Sequence, residues 1–123
     1  MTEPPVLDQS VIESLRQLTP PGEPDVLAQV LQLFLQEVPP RIDRLRNAWI
    51  ARDIEEVHRA AHSLKGSAGN IGAQRLFAVC RQLDDRQQPA DSAATAALVN
   101  ALNVEFGKVE AEIHRLLKLA KGA

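Results

Sequence analysis

The sequence predicts an all-α fold, an antiparallel four-helix bundle with a short N-terminal helix capping one end. Three observations predict it. Apolar residues recur at steps of three and four along most of the chain, and no stretch alternates with the period of two that marks a strand. Hydrophobic residues make up 45% of the chain, yet aromatics are only 3% and tyrosine is absent, a profile that favours helices over a β-sandwich. Short links separate four long periodic segments, and short links make neighbouring helices antiparallel.

The chain has 123 residues, enough for one domain and too few for two. Residues 1–6 read as a flexible arm and 7–121 as a single bundle domain. Within "LDQSVIESLRQL" either Asp8 or Ser10 caps a short amphipathic helix, and Ser10 with Glu13 has capping-box spacing. The prolines and glycine of "TPPGEP" stop it. A long helix follows from about Asp25, with Val26, Val30, Leu33 and Phe34, then Ile42, Leu45 and Trp49, on its inner face. Pro39 and Pro40 remove two amide donors from it and predict a bend that keeps the helical direction.

The next helix begins at the cap pair Asp53 and Glu56. Its apolar set, Ile54, Val57, Ala61, Leu64, Ala68 and Ile71, steps by 3, 4, 3, 4 and 3, a clean buried stripe that ends near Gly72. "AQRLFAVCRQLDDRQQ" is helical, with Leu76, Cys80 and Leu83 inward, and "PADS" is a turn. The last helix runs from about Ser92 to Lys121, with Leu98, Ala101, Leu102, Val109, Ile113, Leu116 and Ala120 inward. Lys118 and Lys121 suit the negative end of its dipole.

Net charge is −2, without the basic stripe that nucleic acid requires. No apolar run approaches the roughly 20 residues needed to span a bilayer, and the acidic, proline-bearing stretch MTEPPVLDQS does not read as a signal peptide. A cytoplasmic protein is expected, with neither nucleic acid nor membrane as partner. Its single cysteine, Cys80, allows no internal disulfide and lies on an apolar stripe.

"HRAAHSLKGSAGNIG", residues 58–72, is unusual for a helix because it contains Gly66, Gly69 and Gly72. A glycine inside a helix costs about 1 kcal/mol relative to alanine. At about 100° per residue, His62 lies roughly 140° from the centre of the apolar stripe, so it faces water. Gly66 and Arg59 share its outward face, with Gly69 beside them, and Lys65 stands on the flank three residues on. An exposed imidazole is a nucleophile. Lys65 offsets the charge of a phosphoryl group placed on it, and Gly66 leaves room for a bulky partner to approach the ring. The usual reading of an exposed helix histidine is that it does nothing; this grouping argues otherwise.

At these residues the chain resembles the histidine phosphotransfer (HPt) domains. "AHSLKGSAGNIGAQRLFAVCRQLDD" is similar to their signature, A-H-x-L-K-G-S/A, then G-A/L-x-x-L, then C-x-x-L and an acidic residue. The resemblance extends from about residue 7 to about residue 118. It implies that His62 is the phosphoacceptor, that Lys65 steadies the phosphoryl group, and that Gly66 keeps the ring accessible. It places Asp84 where the family has an acidic or amide residue that orients the imidazole through the nitrogen not phosphorylated. The implied activity is shuttling of a phosphoryl group between aspartates of response-regulator receiver domains and His62 in a multistep phosphorelay, downstream of a hybrid sensor histidine kinase. The chain itself would bind no cofactor, and Mg²⁺ would sit on the partner receiver domain.

Other classes fit less well. A histidine kinase needs an ATP-binding domain, for which the chain has neither the length nor a Gly-rich loop, so a carrier rather than an enzyme is expected. A degenerate bundle that binds receivers without transferring phosphoryl groups is the alternative. His58 and His62 have the i, i+4 spacing of helical metal sites, but the residue after His58 is Arg59 and no third ligand is close in sequence, so no metal site is predicted. His58 reads as a boundary residue of the bundle, and His114 as surface or boundary. Four long helices in one chain favour a monomer. The docking surface around His62 is expected to include Arg59, Ser63, Ser67, Gly69 and Asn70, with Ile12 and Leu15 at its edge. Arg75 and Arg81 line the site or form a solvated face.

Overall fold

The computed structural model describes residues 3–85 and 93–122, the last three of these by backbone alone. Among the described residues five helices follow one another, α1 Gln9–Gln17, α2 Val26–Ile50, α3 Ile54–Asn70, α4 Gln74–Leu83 and α5 Ala93–Gly122. Among the described residues there is no strand. α3 packs between α2 and α4, and α5 closes the ring against both α4 and α2. The links α2–α3 and α3–α4 are too short to let neighbours run parallel. α1 lies outside this ring, against α2.

The core is aliphatic, as the scarcity of aromatics requires. Leu31 and Leu45 of α2, Leu64 of α3, Leu76 of α4 and Leu102 and Ile113 of α5 are all fully buried. Phe34 of α2 stacks on Phe106 of α5, with ring centroids 6.3 Å apart. The inner face of α2 is Leu27, Leu31, Phe34, Val38, Ile42, Leu45 and Ala48. This corrects the predicted register at the start of the helix, where Leu33 is instead exposed. Apolar residues occupy several faces there, and the contact with α5 decides which one turns inward.

α2 continues unbroken through Pro39 and Pro40. α4 is shorter than predicted: it ends at Leu83, and Asp84 is its C-cap. The predicted "PADS" turn lies outside the described residues, as do the side chains of Ala120 and Lys121.

Asp8 caps α1, its Oδ1 accepting from the Ser10 amide at 2.9 Å and the Ser10 hydroxyl at 2.7 Å. These hydrogen bonds from Ser10 hold the Asp8 carboxyl below the usual carboxylate range. Glu13 pairs with Arg16 and not with Ser10. Asp8 also ties α1 to the α3–α4 turn: its amide donates to the Gly72 carbonyl at 2.8 Å, and its Oδ2 accepts from Gln74 at 2.8 Å. Gly72 has φ +73°, and a β-carbon there would lie 2.9 Å from that of Val11. Turn and helix contact together demand glycine at this position. Ahead of α1, Val6 packs on the core and Glu3 lies 3.4 Å from Arg75.

The same tie turns Ile12 into the core, where it is fully buried. Ile12 therefore belongs to no docking surface, and Leu15 is half-buried against the core. His58 is a further correction. It is 7% exposed, a core residue and not a boundary one.

Candidate functional site

Asp53 caps the start of α3, its Oδ1 accepting from the Glu56 amide at 3.3 Å. With Val57, Ala61, Leu64 and Ala68 buried, the helix must present the opposite side to solvent. His62 lies there, its side chain 72% exposed. Its Nδ1 is 3.1 Å from Asp84 Oδ2, at the C-terminal end of α4. A carboxylate oxygen accepts, so Nδ1 carries the hydrogen and the lone pair is on the outward Nε2.

Lys65 Nζ donates to the same Asp84 oxygen, also at 3.1 Å. Asp84 is only 17% exposed. Burial pushes its carboxyl up, but the hydrogen bonds from His62 and Lys65 and their charges outweigh this, and the net displacement is downward. Asp84 is thus held ionised, matched to an imidazole that gains positive charge when Nε2 is substituted. A β-carbon at Gly66 would meet nothing within 4 Å. The interior of the protein therefore does not require glycine there, and any need for it comes from outside the chain.

The other predicted site residues scatter around this centre. Arg59 is exposed and pairs with Glu56 at 2.7 Å. Ser63 is exposed, and its carbonyl accepts from the Ser67 hydroxyl at 3.4 Å. Ser67 also accepts from Arg41 of α2 at 3.0 Å. Gly69 rests on the Phe77 ring, 3.6 Å from where its β-carbon would be. Asn70 lines a shallow groove with Val30, Leu33 and Phe34. Arg75 does not join the site: Glu105 of α5 holds it at 2.9 Å.

Two participants were not anticipated. Arg41 reaches Ser67 across the α2–α3 interface, a contact between residues 26 apart that no local pattern signals. His58 lies under the end of α4, its Nδ1 3.0 Å from the Leu83 carbonyl. Among the described residues, no three side chains are grouped as metal ligands.

The geometry is that of one oriented, solvent-facing histidine with a lysine beside it, on a helical bundle. The sequence matches the Hpt domain family over residues 29–118. The chain belongs to the Hpt domain family. As an Hpt domain it has relatives in plants and bacteria. It is 24% identical to histidine-containing phosphotransfer protein 2 of Arabidopsis thaliana, over 94% of this chain and 75% of that protein. It is 28% identical to histidine-containing phosphotransfer protein 1 of the same plant, over 93% of this chain and 75% of that protein. A 39% identical match to the sensor protein TorS of Escherichia coli K12 covers 48% of this chain and 6% of that protein. The crystal structure of histidine-containing phosphotransfer protein B (HptB) from Pseudomonas aeruginosa PAO1 superimposes with a TM-score of 0.83 at 26% identity, covering 94% of this chain and 97% of that one. Among the described residues of this Hpt domain, no helix is long and apolar enough to cross a membrane.

Proposed function

We propose that this Hpt domain is a phosphoryl carrier in a multistep phosphorelay, with His62 as its phosphoacceptor. The observation that carries the reading is the His62–Asp84 contact: Nδ1 is held at 3.1 Å while the ring stays 72% exposed. Nε2 then attacks the phosphorus of an aspartyl phosphate on a response-regulator receiver domain. The bond from phosphorus to the aspartate oxygen breaks as the bond to Nε2 forms, and the carboxylate leaves. The ring becomes cationic, and the ionised Asp84 stabilises it through Nδ1–H. Lys65 turns from Asp84 toward the phosphoryl oxygens and offsets their charge. Reversal of the step passes the group to the next receiver.

Positioning and charge stabilisation dominate phosphoryl transfer, so this chain supplies a nucleophile and a docking face. Mg²⁺ belongs to the receiver. The partners on this reading are receiver domains and a hybrid sensor histidine kinase, met in the cytoplasm by a monomeric carrier that is not itself an enzyme. Arg59, Ser63, Ser67, Gly69 and Asn70 lie on the face that docks them.

The test is incubation with phosphorylated receiver domains and Mg²⁺, read by intact mass, alongside His62→Gln. One acid-labile phosphoryl group on the wild-type chain, absent from the variant, is the expected result. No transfer from a broad receiver panel to folded protein would replace the carrier with a degenerate module that binds receivers only.

A further inference from the structure

The two histidines of α3 touch consecutive residues of α4. His62 meets the Asp84 side chain. One turn earlier, His58 Nδ1 lies 3.0 Å from the Leu83 carbonyl oxygen. A carbonyl only accepts, so His58 is the Nδ1–H tautomer.

That oxygen belongs to the peptide group whose nitrogen is Asp84's own. The nitrogen side is fixed as well, since the Asp84 amide donates to the Cys80 carbonyl at 2.9 Å. The Leu83–Asp84 peptide plane is therefore gripped on both edges, immediately before the side chain that orients His62. This matters because the last carbonyls of a helix have no amide partner within it, and its final turn frays. α4 is only 10 residues long. His58 at 7% exposure and Leu83 at 3% keep water from replacing the bond. Lys65 also holds Asp84, but through a flexible stem that leaves the backbone free.

We propose that His58 is a positioning residue for phosphoryl transfer: its buried Nδ1–H pins the end of α4 so that Asp84 stands against His62. The proposal rests on the carrier reading of His62 for its function, but the pin itself is readable without any transfer. Without His58 the last turn of α4 loosens and Asp84 leaves Nδ1. The neutral His62 ring then returns toward the Nε2–H form, which carries its hydrogen on the attacking nitrogen.

Two-bond ¹H–¹⁵N correlation spectra of the whole protein, at a pH above the histidine titration range, read both tautomers directly. Wild type is expected to show Nδ1–H at His58 and at His62. In His58→Leu, His62 shifts to mainly Nε2–H, and transfer from a phosphorylated receiver slows about tenfold, the scale of one lost hydrogen bond. His58→Asn, whose amide nitrogen takes the place of Nδ1, restores Nδ1–H at His62 and the rate of transfer.

An Nε2–H tautomer at His58 in wild type overturns the proposal without any variant. So does a folded His58→Leu that keeps Nδ1–H at His62. If the leucine variant does not fold, His58→Gln replaces it, because its amide nitrogen takes the place of Nε2 and misses the carbonyl. Retention of the His62 tautomer in the asparagine variant alone supports the pin, and retention in both overturns it. The expected tautomers with no transfer by wild type support the pin and overturn the carrier reading.

Discussion

Gly66 lies one helical turn beyond His62, and a β-carbon added to it would meet no neighbouring helix or side chain within 4 Å. The position is open on the protein's own side, so stability and transfer respond oppositely to filling it. Gly66→Ala removes a helix-interior glycine and is expected to stabilise the fold by about 0.5–1 kcal/mol. Its phosphoryl transfer is expected to be slower than wild type, and Gly66→Gln slower still. Urea denaturation and a transfer time course on the same preparations check the pair.

Gly72 makes the opposite prediction. Its φ of +73° and the 2.9 Å approach to Val11 leave no room for a side chain. Gly72→Ala is expected to lose about 1–2 kcal/mol from the left-handed backbone alone, and more from the displaced α1. Chemical denaturation measures the loss, and the Ile12 contacts of α1 locate it by amide exchange.

Lys65→Ala leaves the bundle intact. The lysine is 27% exposed and its partner Asp84 17% exposed, so the change in stability is expected to be on the order of 1 kcal/mol. Transfer is expected to slow by about tenfold or more, the scale of a charge-assisted hydrogen bond. Circular dichroism and the transfer rate separate the two effects.

Asp84 imposes a pH dependence with a definite sign. Its folded-state pKa is lowered from the ordinary value of 3.8. A depressed carboxylate contributes stability that is fully present above 3.8 and is lost as pH falls through the folded value. The stability gap between wild type and Asp84→Asn is therefore widest above that pH and narrows below it. Paired urea titrations from neutral to strongly acidic pH follow the gap.

Cys80 is fully buried, and burial pushes its thiol up to about 12. Native protein is expected to resist thiol alkylation at neutral pH, with modification appearing only as the chain unfolds. Mass spectrometry after brief alkylation, with and without denaturant, checks it.

Much of this arrangement is local and so legible in the sequence. The stripes of α3 and α4 follow from steps of three and four, because each helix has one apolar face. His62, Lys65 and Gly66 lie within a single turn and can be grouped from spacing alone. What spacing does not carry is tertiary. Early α2 has apolar residues on several faces, so Leu33 reads as inward until Phe106 selects Phe34. Ile12 lies on an amphipathic helix whose facing depends on the bond between Asp8 and Gly72, far apart in sequence. His58 is at the edge of its helix's stripe, and the Leu83 carbonyl that meets it comes from the end of another helix, α4. Asp84 reaches His62 across 22 residues, a pairing that family resemblance suggests and periodicity does not.

The two prolines of α2 have a consequence for how the helix comes apart. Helix formation is cooperative because each amide is bonded to a carbonyl one turn back. Pro39 and Pro40 have no amide hydrogen, so the carbonyls of Leu35 and Gln36 lack their usual donors. α2 is one continuous helix but two ladders in cooperativity. Arg41, the first residue past the prolines, bonds Ser67, and antiparallel packing then sets the second ladder behind His62. The first ladder packs beside α1. The end of the bundle that carries α1 is therefore expected to exchange its amides with solvent sooner than the stretch of α2 behind His62.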